Sequence, residues 1–391
     1  MTRSLTLPTL VLSLVLVLSG RVAAQGTVSD VIGFLVTNQA VPTGDFQKDR
    51  AAAEAARAAI AQALLLDLTS MPLATASSGF LYRLNPELGT VERATESFGG
   101  FFVERALTPG NSHASFGVST STTSFNRFDG RSLRDGALVT IANKFRDEAL
   151  PFDTESLILH LRSSTMTMFG SVGIGNRIEI GAAVPLVQLT LDGQRVNIYR
   201  GSTLIQASGN ATASGLADIA VRGKVNLLAM RAGGLAVAGE VRLPTGDETN
   251  LLGTGKTSLR IMGIGSVERG SFALHGNAAI LTGGISSEYD FGGAVSIAVD
   301  PRVTISGETL VRKVTELHGL DLVSAPHPTL VGVDTFRLAP ALAAETLAGI
   351  VTGVKWNATH TLVIGGHLTW SLTRGGLTAP VTPTLALEYA F

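Results

Sequence analysis

Eight ionisable side chains, Glu179, Arg222, Lys224, Glu240, Arg242, Arg260, Glu308 and Arg312, recur on the polar side of stretches that alternate apolar and polar residues. At that spacing acids and bases share one face of an extended chain, where they can pair across neighbouring strands or line a polar wall. The other groups capable of chemistry do not assemble. The chain has no cysteine, so a thiolate nucleophile or metal ligand is excluded. His318 and His327 lie near Glu316 and Asp321 without a recognised ligand spacing, and read as solvated loop residues. Asn250-Leu-Leu-Gly-Thr-Gly-Lys256-Thr257 approaches a phosphate-binding loop. It begins on Asn where that motif needs Gly, and it lies between two strand-like segments instead of opening a helix. Gly173-Ile-Gly175 lacks the third glycine of a dinucleotide fingerprint and reads as a turn. No G-x-S-x-G elbow is present, and no Ser/His/acid order can be assembled. The expectation is a protein that is not an enzyme, with no catalytic, cofactor-binding or metal-binding residues.

The elements that must carry those charges are strands. His360 to Arg374 sets Leu362, Ile364, Leu368, Trp370 and Leu372 against Thr361, His367, Thr369, Ser371 and Thr373. Gly233 to Thr245 sets Leu235, Val237, Val241 and Leu243 against Glu240 and Arg242, and Pro301 to Lys313 repeats the pattern. Each such segment has one greasy and one hydrophilic face. In a soluble sandwich the greasy face points inward, whereas in a membrane barrel it meets lipid and the charges line the lumen. Only 16% of residues are charged, against roughly 25% in soluble domains, which favours the lipid-facing case. Forty-four glycines against 14 prolines suit many strands joined by tight turns. With 30 basic and 31 acidic residues the chain has no field that would draw nucleic acid.

Short links at Gly175-Asn176, Arg231-Ala-Gly233, Arg269-Gly270, Asp300-Pro301 and Asn357-Ala-Thr-His360 alternate with longer ones at 129–155, 192–213, 246–254, 284–286, 314–345 and 375–379. Transmembrane barrels sort their connections in this way. From Ser112 onward the count is 12 strands. Fourteen result if Ser97 to Ala106 and Gly136 to Arg146 also cross, but the latter reads better as a sheet extension outside the membrane.

Residues 1–24 read as a secretory signal, with Arg3, the apolar run Val11 to Leu18 and the small residues Val22-Ala23-Ala24 before a cut after Ala24. The other end, Pro383 to Phe391, places Leu385, Leu387, Tyr389 and Phe391 on one face. It resembles the closing strand of bacterial outer-membrane barrels. That resemblance implies an assembly signal, outer-membrane lipid and the barrel-assembly machinery as partners. Between the ends, residues 25–111 differ from the rest. Asp45 to Asp67 is rich in helix formers, with Ala52, Ala56, Ala59, Ile60, Ala63 and Leu64 on one face, and Met71-Pro72 ends it. Such a helix is either a short periplasmic or capping element, or part of a plug in the lumen.

Two stretches carry a sharper likeness: Gly215 to Leu228, then Leu235-Ala-Val-Ala-Gly-Glu-Val-Arg-Leu-Pro-Thr-Gly-Asp247 followed by Leu252-Gly-Thr-Gly255. They resemble the outer-membrane proteins of the meta-cleavage pathway of phenol degradation, which are related to transporters of long-chain fatty acids and aromatic hydrocarbons. The resemblance covers about 45 residues closely and the barrel generally. It implies passive uptake of small hydrophobic compounds through a barrel blocked by an amino-terminal plug. The expected organisation is therefore a signal peptide (1–24), a helix-containing plug or cap (25–111) and an all-β antiparallel transmembrane barrel (112–391) in the outer membrane. A structural or surface-interaction barrel and an outer-membrane lipid or ester hydrolase are the alternatives.

Overall fold

The structure, a computed structural model, describes residues 26–70, 82–85, 90–93, 97–111, 113–230, 233–359 and 361–391. The signal segment and Met71-Pro72 lie outside these residues. The alternating segments form twelve antiparallel strands. They are β1 (Ala114–Phe125), β2 (Asp153–Ile174), β3 (Ile178–Tyr199), β4 (Ile219–Met230), β5 (Gly233–Leu243) and β6 (Ser258–Arg269). The remainder are β7 (Phe272–Gly283), β8 (Glu288–Asp300), β9 (Val303–Pro326), β10 (Val333–Thr359), β11 (Leu362–Ser371) and β12 (Thr382–Ala390). Each pairs with its sequence neighbours, and β12 pairs with β1 through Leu387 opposite Val118, so the sheet closes. Closure leaves no edge among these strands.

Alternation decides which face looks out. Along β8, Tyr289, Phe291, Val295, Ile297 and Val299 are exposed, while Glu288, Asp290, Ala294 and Ser296 between them are buried. From Tyr289 to Val299 the outward run makes ten steps of about 3.4 Å, which at a tilt of about 40° gives ~25 Å along the barrel axis, the height of a lipid-facing band. Phe116, Phe272, Trp356, Tyr389 and Phe391 are exposed near the end that carries the short turns, and Tyr289 and Phe291 lie towards the other. Aromatic side chains with a polar or polarisable edge gather at such interfaces. Leu385 and Leu387 are exposed on the same face as Tyr389 and Phe391. The arrangement is that of a membrane-spanning barrel.

The two ends differ more than the loop lengths alone suggested. Residues 192–213 and 314–345 are not loops. β3 continues to Tyr199 and pairs with a further strand, Ser202–Leu216, while β9 and β10 run together up to Pro326 and Asp334. An outer strand, Leu138–Phe145, bridges β2 and β10 above the shorter β11, β12 and β1. As expected it stands outside the membrane ring. Residues 97–106 form no strand. The barrel is thus a full ring at its turn end and a taller half-wall at its loop end.

That half-wall encloses a dry core. Helix α1 (Val28–Val36) is capped by Thr27, whose side chain accepts from Asp30 N while Asp30 accepts from Thr27 N. Its Val28, Ile32 and Leu35 pack with Ala56, Ala59, Ile60 and Leu64 of helix α2 (Phe46–Ser70), and with wall residues including Leu159, Leu189, Leu191, Leu320 and Leu338. The apolar face of α2 read from the sequence is the face that is buried. This helix packs at the loop end, opposite the short turns. Its alanines permit close approach to the wall, and the large wall leucines fill the space between.

Candidate functional site

The interior of the ring is stoppered from both ends. From the loop end α2 descends along β9 and β10. Asp49 accepts from Arg337 Nε at 2.7 Å near the tip, Gln62 Nε2 donates to Glu316 O at 3.0 Å, and Gln62 Oε1 accepts from His318 N at 2.7 Å. At its lower end Leu66 meets Val314 and Leu317. Arg195, fully buried on β3, anchors the helix pair by donating to Phe34 O at 2.9 Å, and lies 3.7 Å from Glu155.

From the turn end, residues 97–111 rise into the ring and return. Phe98 N donates to Thr304 Oγ1 at 3.0 Å near the turn end. Glu308, further up β9, then accepts from three consecutive backbone N–H groups, those of Phe101, Phe102 (2.9 Å) and Val103 (2.8 Å). A carboxylate held by three amides makes charge-assisted bonds, each about twice as strong as a neutral one. Gly100 makes this possible, since a Cβ there would come within 2.9 Å of Glu308 Oε1. Lys355 Nζ donates to Gly100 O at 2.6 Å and stands 4.6 Å from the centre of the Phe101 ring. On the descent, Arg222 pairs with Glu104, Ala106 N donates to Ser266 Oγ at 2.8 Å, and Asn226 Nδ2 donates to Ala106 O at 2.8 Å. Thr108 then reaches Asn176 O in the first short turn.

All eight charged residues singled out from the sequence lie on the inner side, six of them buried and Arg222 and Glu240 nearly so. The fold brings them together in two levels. Towards the loop end Arg242 bonds Glu240 at 2.9 Å, Arg260 bonds Asp290 at 3.0 Å and Arg312 bonds Glu288 at 3.0 Å. Arg222, Glu240 and Arg260 face one another across β4, β5 and β6. Nearer the turn end Lys224 bonds Glu179 at 2.7 Å. Glu308 stands apart from these ion pairs and holds the backbone of 101–103. Charges buried this way must be paired or hydrogen-bonded, and these are.

Opposite the charged wall, β1, β2, β11 and β12 present hydroxyls. Ser119, Ser121, Thr165, Thr167, Thr369 and Thr384 line a cavity of about 220 Å³ between the two stoppers. Asp67 and Leu68 of α2 border it above, and Phe102 and His367 below. The His367 ring packs against Phe101 (4.3 Å between centres) and Phe102 (5.1 Å, edge-on). Burial raises the Asp67 carboxyl to about 6, against the pull of the Arg312 guanidinium.

The groups set aside in the sequence keep structural roles. His318 lies within β9, and His327 at the tip beyond it, so neither occupies a long loop. His327 Nδ1 accepts from Thr329 N and Leu330 N, which leaves Nε2 to donate to Pro42 O at 3.0 Å. No group of three or more metal-ligating residues occurs among the described residues. The stretch 250–257 forms turns between β5 and β6. There Asp218 accepts from Gly246 N (3.1 Å), Thr254 N (2.9 Å) and Thr254 Oγ1 (2.8 Å). A Cβ on Gly253 would sit 2.4 Å from Asp218 Oδ1. Gly246, Gly253 and Thr254 therefore build a loop latch on Asp218. Ser266 and His275 stand opposite each other at 3.0 Å, but Ser266 already accepts from Ala106 N, and His275 Nε2 has no hydrogen-bond partner among the described residues. With no third group to orient the imidazole, the pair lacks the order of a catalytic triad.

No protein-family model and no curated protein matches this chain. Among solved structures it is similar to an outer membrane channel from Pseudomonas putida F1, at 11% identity and a TM-score of 0.46, over 73% of this chain and 98% of that one. It is also similar to the NanC porin, at 7% identity and a TM-score of 0.35, over 61% of this chain and 98% of that one. OprB of Pseudomonas putida follows at 9% identity and a TM-score of 0.31, over 72% and 93%. At these values the likeness is one of general barrel form and says nothing of what passes through.

Several residues that build the interior escaped the sequence reading. Glu288 and Asp290 alternate with the apolar Tyr289 and Phe291, so the alternation itself was a signal for them. Ser119, Ser121 and Thr123, like Ser163, Thr165 and Thr167, repeat at strand spacing and mark the hydroxyl wall. Glu104 had no such signal, because its partner Arg222 is 118 residues away.

Proposed function

We propose that this protein is a gated outer-membrane channel for passive uptake of small solutes, exported by a cleaved signal peptide and inserted by the barrel-assembly machinery through its last strand. The observation that carries the reading is a polar ring interior, enclosed by an apolar wall and closed from opposite ends by segments of the same chain. In this state the passage is shut, and conduction requires both α2 and the 97–111 loop to withdraw. The resemblance of 215–255 to the phenol meta-pathway group supports small hydrophobic solutes, aromatic or fatty-acid-like, as cargo. Liposomes carrying the refolded protein should take up such a probe faster than empty ones. Equal rates, both for the native chain and for one with both stoppers loosened, reject the channel and leave a structural barrel.

A further inference from the structure

One contact of the lower stopper has the chemistry of a bound ligand. Glu104, 3% exposed, pairs with Arg222, and its carboxylate lies 4.0 Å from Lys224 Nζ. Its backbone is clamped by the Asn277 amide, which accepts from Glu104 N at 2.7 Å and donates to Glu104 O at 3.3 Å. The residues before it are apolar, and Phe101 and Val103 pack on Ala294, Leu310 and Val351 of the wall. The segment therefore presents an apolar body that ends in a carboxylate, the form of a small hydrophobic acid.

The surrounding charges call for that carboxylate. From β3 to β9 this part of the wall carries five bases, Arg222, Lys224, Arg242, Arg260 and Arg312, against four acids, Glu179, Glu240, Glu288 and Asp290. Glu104 supplies the missing negative charge from the stopper. Glu308 and Glu268 lie nearer the turn end, where Lys355 and Arg105 are the cations that act on them. A buried cation stripped of its partner is strongly destabilised, so Arg222 holds Glu104 until another anion takes its place. A guanidinium matches the two oxygens of a carboxylate with two parallel N–H groups. Beside Glu104 a gap of about 40 Å³ shares Phe102, Leu310 and Arg312 with the cavity between the stoppers, which gives an incoming anion its approach.

We propose that Arg222 and Lys224 form a carboxylate site, filled by Glu104 in the closed state, and that a small hydrophobic monocarboxylic acid displaces Glu104 and so frees the lower stopper. The proposal rests on the channel reading and narrows its cargo. The apolar body of the acid replaces Phe101 and Val103 against Leu310 and Val351, and its carboxylate replaces that of Glu104. An uncharged solute of the same size would leave the guanidinium unpaired and does not release the segment.

The test uses the full chain in detergent micelles at neutral pH, with benzoate as probe and benzyl alcohol as its uncharged counterpart. Binding is read by titration calorimetry, and the stopper by hydrogen exchange at the amides of residues 101–106. Glu104→Gln keeps the shape of the segment and removes the competing charge, whereas Arg222→Gln removes the site. Each variant is checked for the heat-dependent gel mobility of a folded barrel. Benzoate should bind the native protein, at least tenfold more tightly to Glu104→Gln, and without saturation to Arg222→Gln. Saturating benzoate should speed exchange at 101–106 of the native protein at least tenfold, and benzyl alcohol should leave it unchanged. Equal affinity in the native and Glu104→Gln proteins, no saturable benzoate binding to either, or an equal response to benzyl alcohol overturns the proposal. Those comparisons decide the matter even where Arg222→Gln misfolds. Flux through liposomes judges the channel separately. A chain that binds benzoate in this way yet passes no solute keeps the site and loses the channel, and one that conducts without such binding keeps the channel alone.

Discussion

At the scale of single residues, the grip on the lower stopper is concentrated in one carboxylate. Glu308 is 2% exposed and serves three adjacent amides that have no other acceptor so well placed. Hydrogen bonds to a charged group are each worth about 1.5–3 kcal/mol, so Glu308→Ala should free the 101–103 backbone. Its amides should exchange with deuterium at least tenfold faster, and single-channel recordings should show more frequent openings than in the native protein. Unchanged protection would mean that Lys355 and Ser266 suffice. The upper stopper carries a pH dependence at Asp67. Its carboxyl binds a proton more tightly in the docked state, at about 6, than at the ordinary value of 3.8. An acid with a raised folded-state pKa stabilises docking fully below the lower value, and loses that contribution as pH rises through the higher one. The amides of residues 64–68, corrected for intrinsic exchange, should therefore be better protected at pH 4 than at pH 7.5. Asp67→Asn should remove the difference.

At the scale of elements, the loop between β5 and β6 is a designed turn whose centre lies outside it. Asp218 is buried, and three donors from Gly246 and Thr254 converge on it. Asp218→Ala leaves those donors unmet and should cost about 2–4 kcal/mol. Limited proteolysis should then cut within 246–256, while the membrane ring resists. The same loop shows what a sequence can reveal. Strand parity was legible because each residue's face depends only on its neighbours two places away, as with Glu240 and Arg242 against Leu235 and Val237. The small-residue face of α2 was legible for the same local reason, but its partners, Leu320 and Leu338 among them, come from distant strands. Whether that helix sat inside or outside was therefore beyond reach. Ser202–Leu216 read as a loop because its outward residues, such as Ser208, Asn210 and Thr212, meet water rather than lipid, and the apolar contrast disappears. Residues 97–106 offered a strand-like pattern but form no strand, since their conformation is imposed by wall side chains far along the chain.

At the scale of the whole molecule, a membrane-facing ring is joined to a half-wall with the dry core of a soluble domain. The two should answer differently to the same perturbation. Val295 lies mid-way along the outward run of β8. Val295→Lys places a charge near the centre of the lipid band, at a cost of about 2–4 kcal/mol. Urea titration of folding into phosphatidylcholine vesicles should show that loss. Leu191, fully inside the half-wall core, responds to a different solvent, and Leu191→Ala should cost a similar amount through the cavity it leaves. In that variant α1 and α2 should detach with the ring still inserted, seen as selective proteolysis of residues 26–70. Simultaneous collapse of both regions would make them one cooperative unit.

The place of the lower stopper also bears on the order of events at birth. Residues 97–111 lie inside the cylinder, bonded to Thr304, Glu308, Lys355, Ser266 and Asn226 on four different strands of its wall, and leave it at the turn end towards β1. Anchors spread so widely around an inner surface are most readily made in an open trough, so this segment is expected to be laid down before β1 meets β12 and the zipper seals it within.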